Sequence, residues 1–207
     1  MFITIEGIEG SGKSTLLAGL GERLRSFGHE PVLTREPGGG LGPPVRALLL
    51  DCGQKLDSRA EMFLFMADRA QHVREVIRPA LANGQVVLCD RFSDSTITYQ
   101  GYGRGLDLDL LQIFNDFATD KLWPDLTMVL DMDAKTGLER ARSRNAQKGL
   151  TIDEGRFEEE DLAFHDRIRH GFLRRAALSP QRFVVLDATR SPSEVLETAW
   201  TELFTRL

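Results

Sequence analysis

The sequence predicts an α/β fold, a doubly wound five-stranded parallel sheet flanked by helices. Five short runs rich in valine, isoleucine and leucine barely alternate between apolar and polar residues, as strands buried on both faces do. Helical segments separate the runs, so consecutive strands are joined by crossover connections. With 207 residues and 42% hydrophobic content, the chain can form one such domain with a full core.

The strands and helices are placed by these patterns. The strands are predicted at 2–6, 31–35, 86–90, 126–132 and 183–187. The helices are predicted at 13–27, 43–52, 58–82, 107–119, 134–145, 158–178 and 192–206. Because ligands of such sheets bind beyond the carboxyl ends of the strands, we expect the functional residues directly after each strand.

Local signals indicate several helix ends. Segments 58–61 and 191–194 both read S-x-x-E, the capping-box pattern, and Pro192 takes the first helical position of the last helix. The Asn-Gly pair at 83–84 is predicted to end the long helix. We interpret the acidic run 158–161 as charge at a helix N-terminus, where it matches the helix dipole.

Composition narrows the class of protein. The net charge of −5 argues against a broad nucleic-acid-binding surface. Cys52 and Cys89 form no CxxC pair and have no adjacent histidine, which argues against zinc and fits a reducing cytoplasm. The N-terminus has no signal-peptide pattern, and no apolar run approaches the ~20 residues that span a bilayer. We therefore expect a cytoplasmic protein without nucleic-acid or membrane partners.

A phosphate-binding loop follows the first strand. Its residues are Gly7, Ile8, Glu9, Gly10, Ser11, Gly12, Lys13 and Ser14, which fit G-x-x-x-x-G-K-[ST] between a strand and a helix. The glycines let backbone N–H groups face phosphates, and the helix N-terminus adds partial positive charge. Lys13 is predicted to reach the β- and γ-phosphates of a nucleoside triphosphate, and Ser14 to ligate Mg²⁺. The alternative is a glycine-rich turn that only links strand to helix.

Further motifs lie at the strand ends and on the long helix. TREPGG occupies 34–39, Asp-Arg-Phe occupies 90–92, YQGY occupies 99–102, and FMADR occupies 65–69. In this order, the motifs resemble those of bacterial thymidylate kinases, P-loop enzymes that phosphorylate dTMP to dTDP with ATP. The resemblance runs from the first strand to the last helix. It implies one nucleoside monophosphate kinase domain over 1–207, which uses Mg-ATP and dTMP in dTTP biosynthesis and forms a homodimer.

The long helix carries a candidate nucleobase site. Phe65 and Arg69 are four residues apart, so they share one helix face, and a ring beside a fork of donors suits a nucleobase. The resemblance assigns them to thymine stacking and to the thymine O4 atom. The alternatives are core packing for Phe65 and a surface ion pair for Arg69. By the same resemblance, Thr96 and Gln100 read the thymine edge, and Tyr99 disfavours a ribose 2′-hydroxyl.

Asp90 and Arg91 end the third strand. An acid in this position is typical of a Walker-B carboxylate that orients Mg²⁺ or its waters. Arg91 is predicted to neutralise the acceptor phosphate and the transferring group. The alternative is an ion pair between these two neighbours that only finishes the strand.

Several acceptor-side roles come from the resemblance. It implies that Arg35 and Arg46 bind the acceptor phosphate, although Arg46 could equally be a solvated helix residue. Pro37 lies against the acceptor nucleoside in the family, and its bond to Glu36 lies in a turn open to the cis form. Glu9 is an acid beside phosphates, each of which would repel it by about 3 kcal/mol at ~6 Å and an effective dielectric of ~20. The resemblance directs its carboxylate to the 3′-hydroxyl of dTMP.

The last candidate element is a basic lid at about 142–156. The stretch from 140 to 156 holds the basic residues Arg140, Arg142, Arg144, Lys148 and Arg156 and the acids Asp153 and Glu154. Residues 145–156 have no helix or strand pattern, so they are predicted to form a mobile loop. Such a loop can close over phosphates and exclude water, whereas the alternative is an exposed charged loop without function.

The lid is also the candidate source of a catalytic arginine. The phosphate loop contains no arginine, and family members without one there supply the catalytic arginine from the lid. By this resemblance Arg144 is the first candidate and Arg156 the second, while Arg140 lines the adenine site. Another nucleoside monophosphate kinase and a non-catalytic nucleotide-binding protein remain as alternatives. A GTP-driven switch is disfavoured because the chain contains neither NKxD nor DxxG.

Overall fold

The predicted strands form one parallel sheet in the computed structural model, which describes residues 1–50, 55–147 and 156–207. The strands are β1 (Phe2–Gly7), β2 (Val32–Arg35), β3 (Val87–Asp90), β4 (Leu126–Asp131) and β5 (Phe183–Asp187). Their order is β2-β3-β1-β4-β5, and every neighbouring pair is parallel. The connections leave β1 and β3 in opposite directions, so a crevice opens at the carboxyl ends of these two strands. The predicted fold class is confirmed.

Helices cover both faces of the sheet. They are α1 (Lys13–Ser26), α2 (Gly42–Leu50), α3 (Ser58–His72), α4 (Arg78–Ala82), α5 (Ser93–Thr96), α6 (Leu108–Thr119), α7 (Ala134–Gln147), α8 (Leu162–Leu178) and α9 (Pro192–Phe204). One core cluster contains Ile5 and Phe172, a second contains Phe2 and Ile77, and a third contains Met62. Residues 51 and 52 of the helix predicted at 43–52 lie outside the described residues. Across the described ranges, no helix combines the length and apolar character needed to cross a bilayer.

The long helix predicted at 58–82 is confirmed, with one irregular turn. A π-helical segment, Val73–Ile77, joins α3 to α4. Pro79 follows this segment, and its ring would clash with the carbonyl group four residues earlier in a regular α-helix, so a wider turn accommodates it. Asn83 ends α4 and Gly84 takes a φ of 73°, as the Asn-Gly pair predicted.

Only one of the two predicted capping boxes is confirmed. At α9, the Ser191 side chain accepts from the Glu194 N–H, and the Glu194 carboxylate accepts from the Ser191 N–H. At α3 the prediction is wrong, because Asp57 caps the helix: its side chain accepts from the backbone N–H of Arg59. Glu61 is 1% exposed and lies among buried partners instead of at the helix end.

The helix predicted at 158–178 begins later than expected. Asp161 caps α8 by accepting from the Phe164 N–H, and the preceding residues 156–160 form turns. The interpretation of 158–161 as helix-terminal charge is therefore right for its last residue only. Glu158 instead contacts Arg144 across the turn.

The loop predicted at 145–156 is only partly described. Helix α7 continues to Gln147, so the first residues of the predicted loop are helical. Lys148, Asp153 and Glu154, which were counted in the lid, lie outside the described residues.

A buried helical segment at 93–103 has no counterpart among the predicted elements. It consists of α5 and a π-helical continuation, Ile97–Gly103. β-Branched residues and glycines give this stretch low helix propensity, so local patterns do not indicate a helix. Its packing against α8 is close: a Cβ on Gly103 would lie 2.7 Å from the ring of Phe164, and one on Gly171 would lie 2.8 Å from the ring of Tyr102. Tertiary contact thus stabilises the segment that carries Tyr99 and Gln100.

Candidate active site

A cleft of about 580 Å³ opens at the carboxyl ends of the central strands. The candidate residues that line it are Glu9, Gly10, Gly12, Lys13, Ser14, Arg35, Pro37, Arg46, Phe65, Arg69, Asp90, Arg91, Thr96, Tyr99, Gln100, Arg140 and Arg144. Three members of the phosphate loop, Gly7, Ile8 and Ser11, lie behind this surface, and Ile8 belongs to the core. Residues from distant parts of the sequence thus meet in one concave site.

The phosphate loop closes tightly against α7. Gly10 has a φ of 72°, and a Cβ there would lie 2.0 Å from the carbonyl oxygen of Gly137, so the loop requires glycine at this position. The Lys13 Nζ donates to the carbonyl oxygens of Gly7 (3.1 Å) and Ile8 (2.8 Å). Burial, together with the nearby Arg91, lowers the pKa of Lys13 to about 8. A phosphate in the cleft would stabilise its charged form.

Ser14 and Asp90 meet at the floor of the cleft. The Ser14 hydroxyl donates to Asp90 Oδ2 at 3.3 Å, while the buried Asp90 Oδ1 accepts no hydrogen bond within the described part of the chain. A hydroxyl beside a carboxylate with a spare oxygen fits Mg²⁺, which takes few protein ligands and keeps waters and phosphate oxygens. The described residues hold no cluster of three or more His, Cys, Asp or Glu that could bind a metal alone. The site therefore suits a cation that arrives with a nucleotide.

Glu9 lies at the centre of a hydrogen-bonded cluster between the two ends of the cleft. Its Oε1 accepts from the Tyr99 hydroxyl at 2.6 Å and from Arg91 Nη2 at 3.0 Å. Its Oε2 is 3.2 Å from Nδ1 of His165, a fully buried residue that no sequence motif indicated. Burial raises the pKa of Glu9, but His165, Arg91, Lys13 and Tyr99 outweigh it and hold that pKa well below its ordinary value. Glu9 is therefore ionised in the folded protein.

Arg91 is held by a buried carboxyl group that the motifs did not include. Its backbone has a φ of 70°, in the left-handed region that few residues other than glycine adopt. Its Nη1 donates to the Ser95 hydroxyl at 3.2 Å, which in turn donates to Glu6 Oε2 at 2.6 Å. Glu6 Oε1 accepts from the Phe92 N–H at 2.8 Å. The one feature of the sequence that could have indicated Glu6 was the position of an acid near the end of an otherwise apolar strand.

Glu6 makes folding stability depend on pH. Burial and the charge of Asp94 raise the pKa of Glu6 from 4.5 to about 8. Because the folded state keeps the proton, this contribution is complete below pH 4.5 and is lost as the pH rises towards 8. We expect Glu6→Gln to lose less stability than the parent protein over this range, as measured by the Tm of both proteins between about pH 5 and about pH 8.5. Parallel Tm profiles would contradict a protonated Glu6.

Arg69 lies in a buried polar network at the far end of the cleft. It is 1% exposed, and its Nη2 is 2.6 Å from Glu36 Oε2. Its Nη1 donates to Thr96 Oγ1 and Asn115 Oδ1, both at 2.8 Å, and the guanidinium lies 5.4 Å from the Phe92 ring. A surface ion pair, the alternative for Arg69, is thereby ruled out. The sequence motifs indicated neither Asn115 nor the contact with Glu36.

Aromatic rings form the wall beside this network. Phe65 lines the cleft and also packs against the core, so core packing accounts for only part of its surroundings. Its ring centroid is 6.4 Å from that of Phe157, which meets the Tyr99 ring edge-on at 5.5 Å. Phe157 lines the cleft without having been predicted, because a lone phenylalanine beside an acidic run gives no pattern. The Glu36–Pro37 bond on the same side is cis.

Gln100 and Arg156 share one buried acid. The Gln100 Nε2 donates to Glu61 Oε1 at 2.8 Å, and Arg156 Nη2 donates to Glu61 Oε2 at 2.5 Å. Arg156 Nε also donates to the carbonyl oxygen of Leu49 at 2.6 Å. The guanidinium of Arg156 therefore faces Glu61 and not the cleft.

The remaining basic residues lie at the rim. Arg140 lines the cleft and donates to the carbonyl oxygen of Ala188 at 3.1 Å. Arg144 lines it too, with its side chain 50% exposed and its Nη2 3.3 Å from Glu158 Oε1. Arg35 and Arg46 line both the cleft and a neighbouring cavity of about 560 Å³.

Comparison with known proteins identifies the family of the chain. The chain matches the family model of thymidylate kinase over residues 5–199. A curated thymidylate kinase from Desulfovibrio desulfuricans is 58% identical over 198 residues, which cover 95% of this chain and 91% of the relative. One from Nitratidesulfovibrio vulgaris is 57% identical and covers 95% of this chain and 88% of the relative. The crystal structure of thymidylate kinase from Ehrlichia chaffeensis superimposes with a TM-score of 0.77 at 37% identity, over 98% of both chains.

Proposed function

The chain belongs to the thymidylate kinase family, and we propose that its reaction takes place in the cleft described above. The reaction transfers the γ-phosphoryl group of ATP to dTMP and gives dTDP and ADP. One observation carries the proposal. The phosphate loop, the terminal acid of β3, the aromatic wall and the basic residues come from distant segments, yet they line a single cleft at the switch point of the sheet.

We assign the donor nucleotide to the α1 end of the cleft. The backbone N–H groups of residues 7–14 and the Lys13 amine bind the phosphates of ATP, and Arg140 lies against the adenine. Ser14 and Asp90 would hold Mg²⁺, and the spare buried oxygen of Asp90 supports this assignment. When bound, the ion neutralises phosphate charge.

We assign dTMP to the opposite end. Phe65 stacks on the thymine and Arg69 binds its O4 atom, because both side chains come from α3 and line the cleft. The other proposed contacts are Thr96 and Gln100 with the base edge, Pro37 with the nucleoside, Tyr99 and Glu9 with the sugar, and Arg35, Arg46 and Arg91 with the phosphate. Glu9, Tyr99 and Arg91 are mutually hydrogen-bonded, so the groups proposed for sugar and phosphate form one unit.

The proposed chemistry consists of positioning and charge neutralisation. The acceptor is already an anionic phosphate, so the protein needs no general base. Lys13, Arg91 and Arg144 are proposed to stabilise the negative charge on the transferring group. Arg91 suits this role because Glu9 and Ser95 hold its guanidinium between the two halves of the cleft.

We further propose the organisation of the chain. Residues 1–207 form a single nucleoside monophosphate kinase domain with a lid at about 142–156, part of which lies outside the described residues. A homodimer through α3 and α6 would cover exposed apolar side chains, among them Phe63, Ile113 and Phe117 at 54%, 62% and 88% exposure.

Cytoplasmic localisation agrees with Cys89, a free, buried thiol in the described part of the chain.

A substrate panel tests the proposal that this cleft selects dTMP. We expect dTMP to be the clearly preferred acceptor when the enzyme is incubated with Mg-ATP and each common nucleoside monophosphate, because Arg69, Thr96 and Gln100 match the edge of thymine. The measurement is kcat/KM from ADP formation. A different preferred acceptor would reassign the base-binding end of the cleft.

A further inference from the structure

Glu61 lies beneath the base-binding end of the cleft as a buried acid with three partners. It is 1% exposed, and its oxygens accept from Gln100, Arg104 and Arg156. The two arginines come from the segment after the π-helical turn and from the turns before α8. Its position in the S-x-x-E pattern indicated a helix cap, but Asp57 caps α3, so Glu61 is available for another role.

The contact with Glu61 determines which way the Gln100 amide faces. With two guanidinium groups against it, the Glu61 carboxylate acts only as an acceptor, so the amide must present Nε2 to it. Rotating the amide by half a turn would place Gln100 Oε1 against Glu61 Oε1, two acceptors at 2.8 Å in a buried site. Such an unpaired contact is costly, so a ligand meets the carbonyl oxygen of Gln100.

The orientation matters because pyrimidine edges differ in polarity. A 4-keto pyrimidine presents an N3–H donor next to the O4 acceptor, whereas a 4-amino pyrimidine presents an N3 acceptor next to an N–H donor. Arg69 offers only donors and Gln100 offers Oε1, so the pair matches the 4-keto edge at both positions. The 4-amino edge would place its N–H donor against the donors of Arg69 and its N3 acceptor against Gln100 Oε1, so it matches the pair at neither position.

We propose that Glu61 is a specificity-determining positioning residue, which holds the Gln100 amide so that the site accepts 4-keto pyrimidine monophosphates and rejects 4-amino ones. Glu61 itself does not line the cleft and acts through Gln100. The inference rests on the proposed function, in which Gln100 and Arg69 read the base.

Glu61→Gln tests the inference, because its side-chain amide can pair with Gln100 in either orientation while its shape is retained. We expect the ratio of kcat/KM for dTMP to that for dCMP to fall by at least about tenfold, since sites built on such hydrogen bonds discriminate by far more than that. The ratio for dTMP to dUMP should not change, because both bases share the 4-keto edge. An equal loss for all three acceptors would indicate a merely structural role and overturn the proposal.

A matched control separates the effect of losing an ion pair with Arg104 from the effect of releasing the Gln100 amide. Glu160 accepts from Arg104 Nη1 at 2.5 Å, whereas the Gln100 amide donates to Glu61. Glu160→Gln should therefore leave both ratios unchanged. If Glu61→Gln does not fold, Glu61→Asp keeps the charge facing the arginines and withdraws it from Gln100. The same fall in the dTMP to dCMP ratio is then expected, and an unchanged ratio overturns the inference.

Gln100→Leu distinguishes failure of the inference from failure of the proposed function. If this variant leaves the dTMP to dCMP ratio unchanged, Gln100 does not read the base and the proposed site is wrong there. If Gln100→Leu lowers the ratio and Glu61→Gln does not, Gln100 reads the base without being oriented by Glu61.

Discussion

Replacing Arg144 by alanine is expected to lower kcat by about three orders of magnitude, with little change in the Kd of dTMP. The phosphate loop contains no arginine, and Arg144 is a half-exposed guanidinium at the rim of the cleft, on the side of the donor nucleotide. An arginine that meets the transferring phosphoryl group only in the transition state typically contributes about 10³- to 10⁵-fold to kcat. Single-turnover kinetics with saturating substrates, combined with calorimetric titration of dTMP, measure both quantities.

Arg142→Ala is the matched control for this prediction. Arg142 lies on the same helix and donates to the backbone of Glu158, but it is not among the residues that line the cleft. Its replacement should leave kcat unchanged. Unchanged turnover in Arg144→Ala would remove Arg144 from the mechanism. A comparable loss confined to Arg156→Ala would transfer the role to Arg156 and require that residue to leave Glu61.

Replacing Glu9 by alanine is expected to weaken dTMP binding by about 10- to 100-fold and ATP binding far less. The ionised carboxylate is proposed to accept from the sugar hydroxyl, and a hydrogen bond to a charged group typically contributes about 1.5–3 kcal/mol. Glu9 also holds Arg91 and Tyr99, so its removal disturbs the acceptor end of the cleft and leaves the donor end intact. Calorimetric Kd values for each nucleotide measure the difference.

The 3′-deoxy analogue of dTMP is the substrate control for Glu9. It lacks the hydroxyl group, so the variant and the parent protein should bind it with more similar affinity than they bind dTMP. Equal weakening of dTMP and ATP binding in Glu9→Ala would mean that Glu9 supports the whole loop and does not contact the sugar.

Local patterns predicted much of the architecture and of the site. Buried parallel strands lack alternation, and the phosphate loop lies between a strand and a helix, so both can be recognised from short segments. The Arg69 and Phe65 pair was predictable in the same way, from helical spacing and from the resemblance of its motif. Most of the residues that were predicted from motifs line the same cleft, and the exceptions are Gly7, Ile8, Ser11 and Arg156.

The residues that were missed have partners far away in the sequence. His165 lies 3.2 Å from Glu9, and Asn115 accepts from Arg69, although no motif includes either of them. The buried segment 93–103 contradicts its own helix propensity and is stabilised by the rings of α8. Contacts of this kind depend on which elements the sheet brings together, and periodicity within one element does not report that.

The sequence by itself therefore determined the fold class, the phosphate loop and most of the charged residues of the site. Only the tertiary structure decided how those charges are paired. Glu61 shows the difference: its spacing from Ser58 predicted a helix cap, but burial places it between Gln100 and two arginines. A buried acid must find donors wherever the packed chain provides them, and those donors are more than 35 residues away along the sequence.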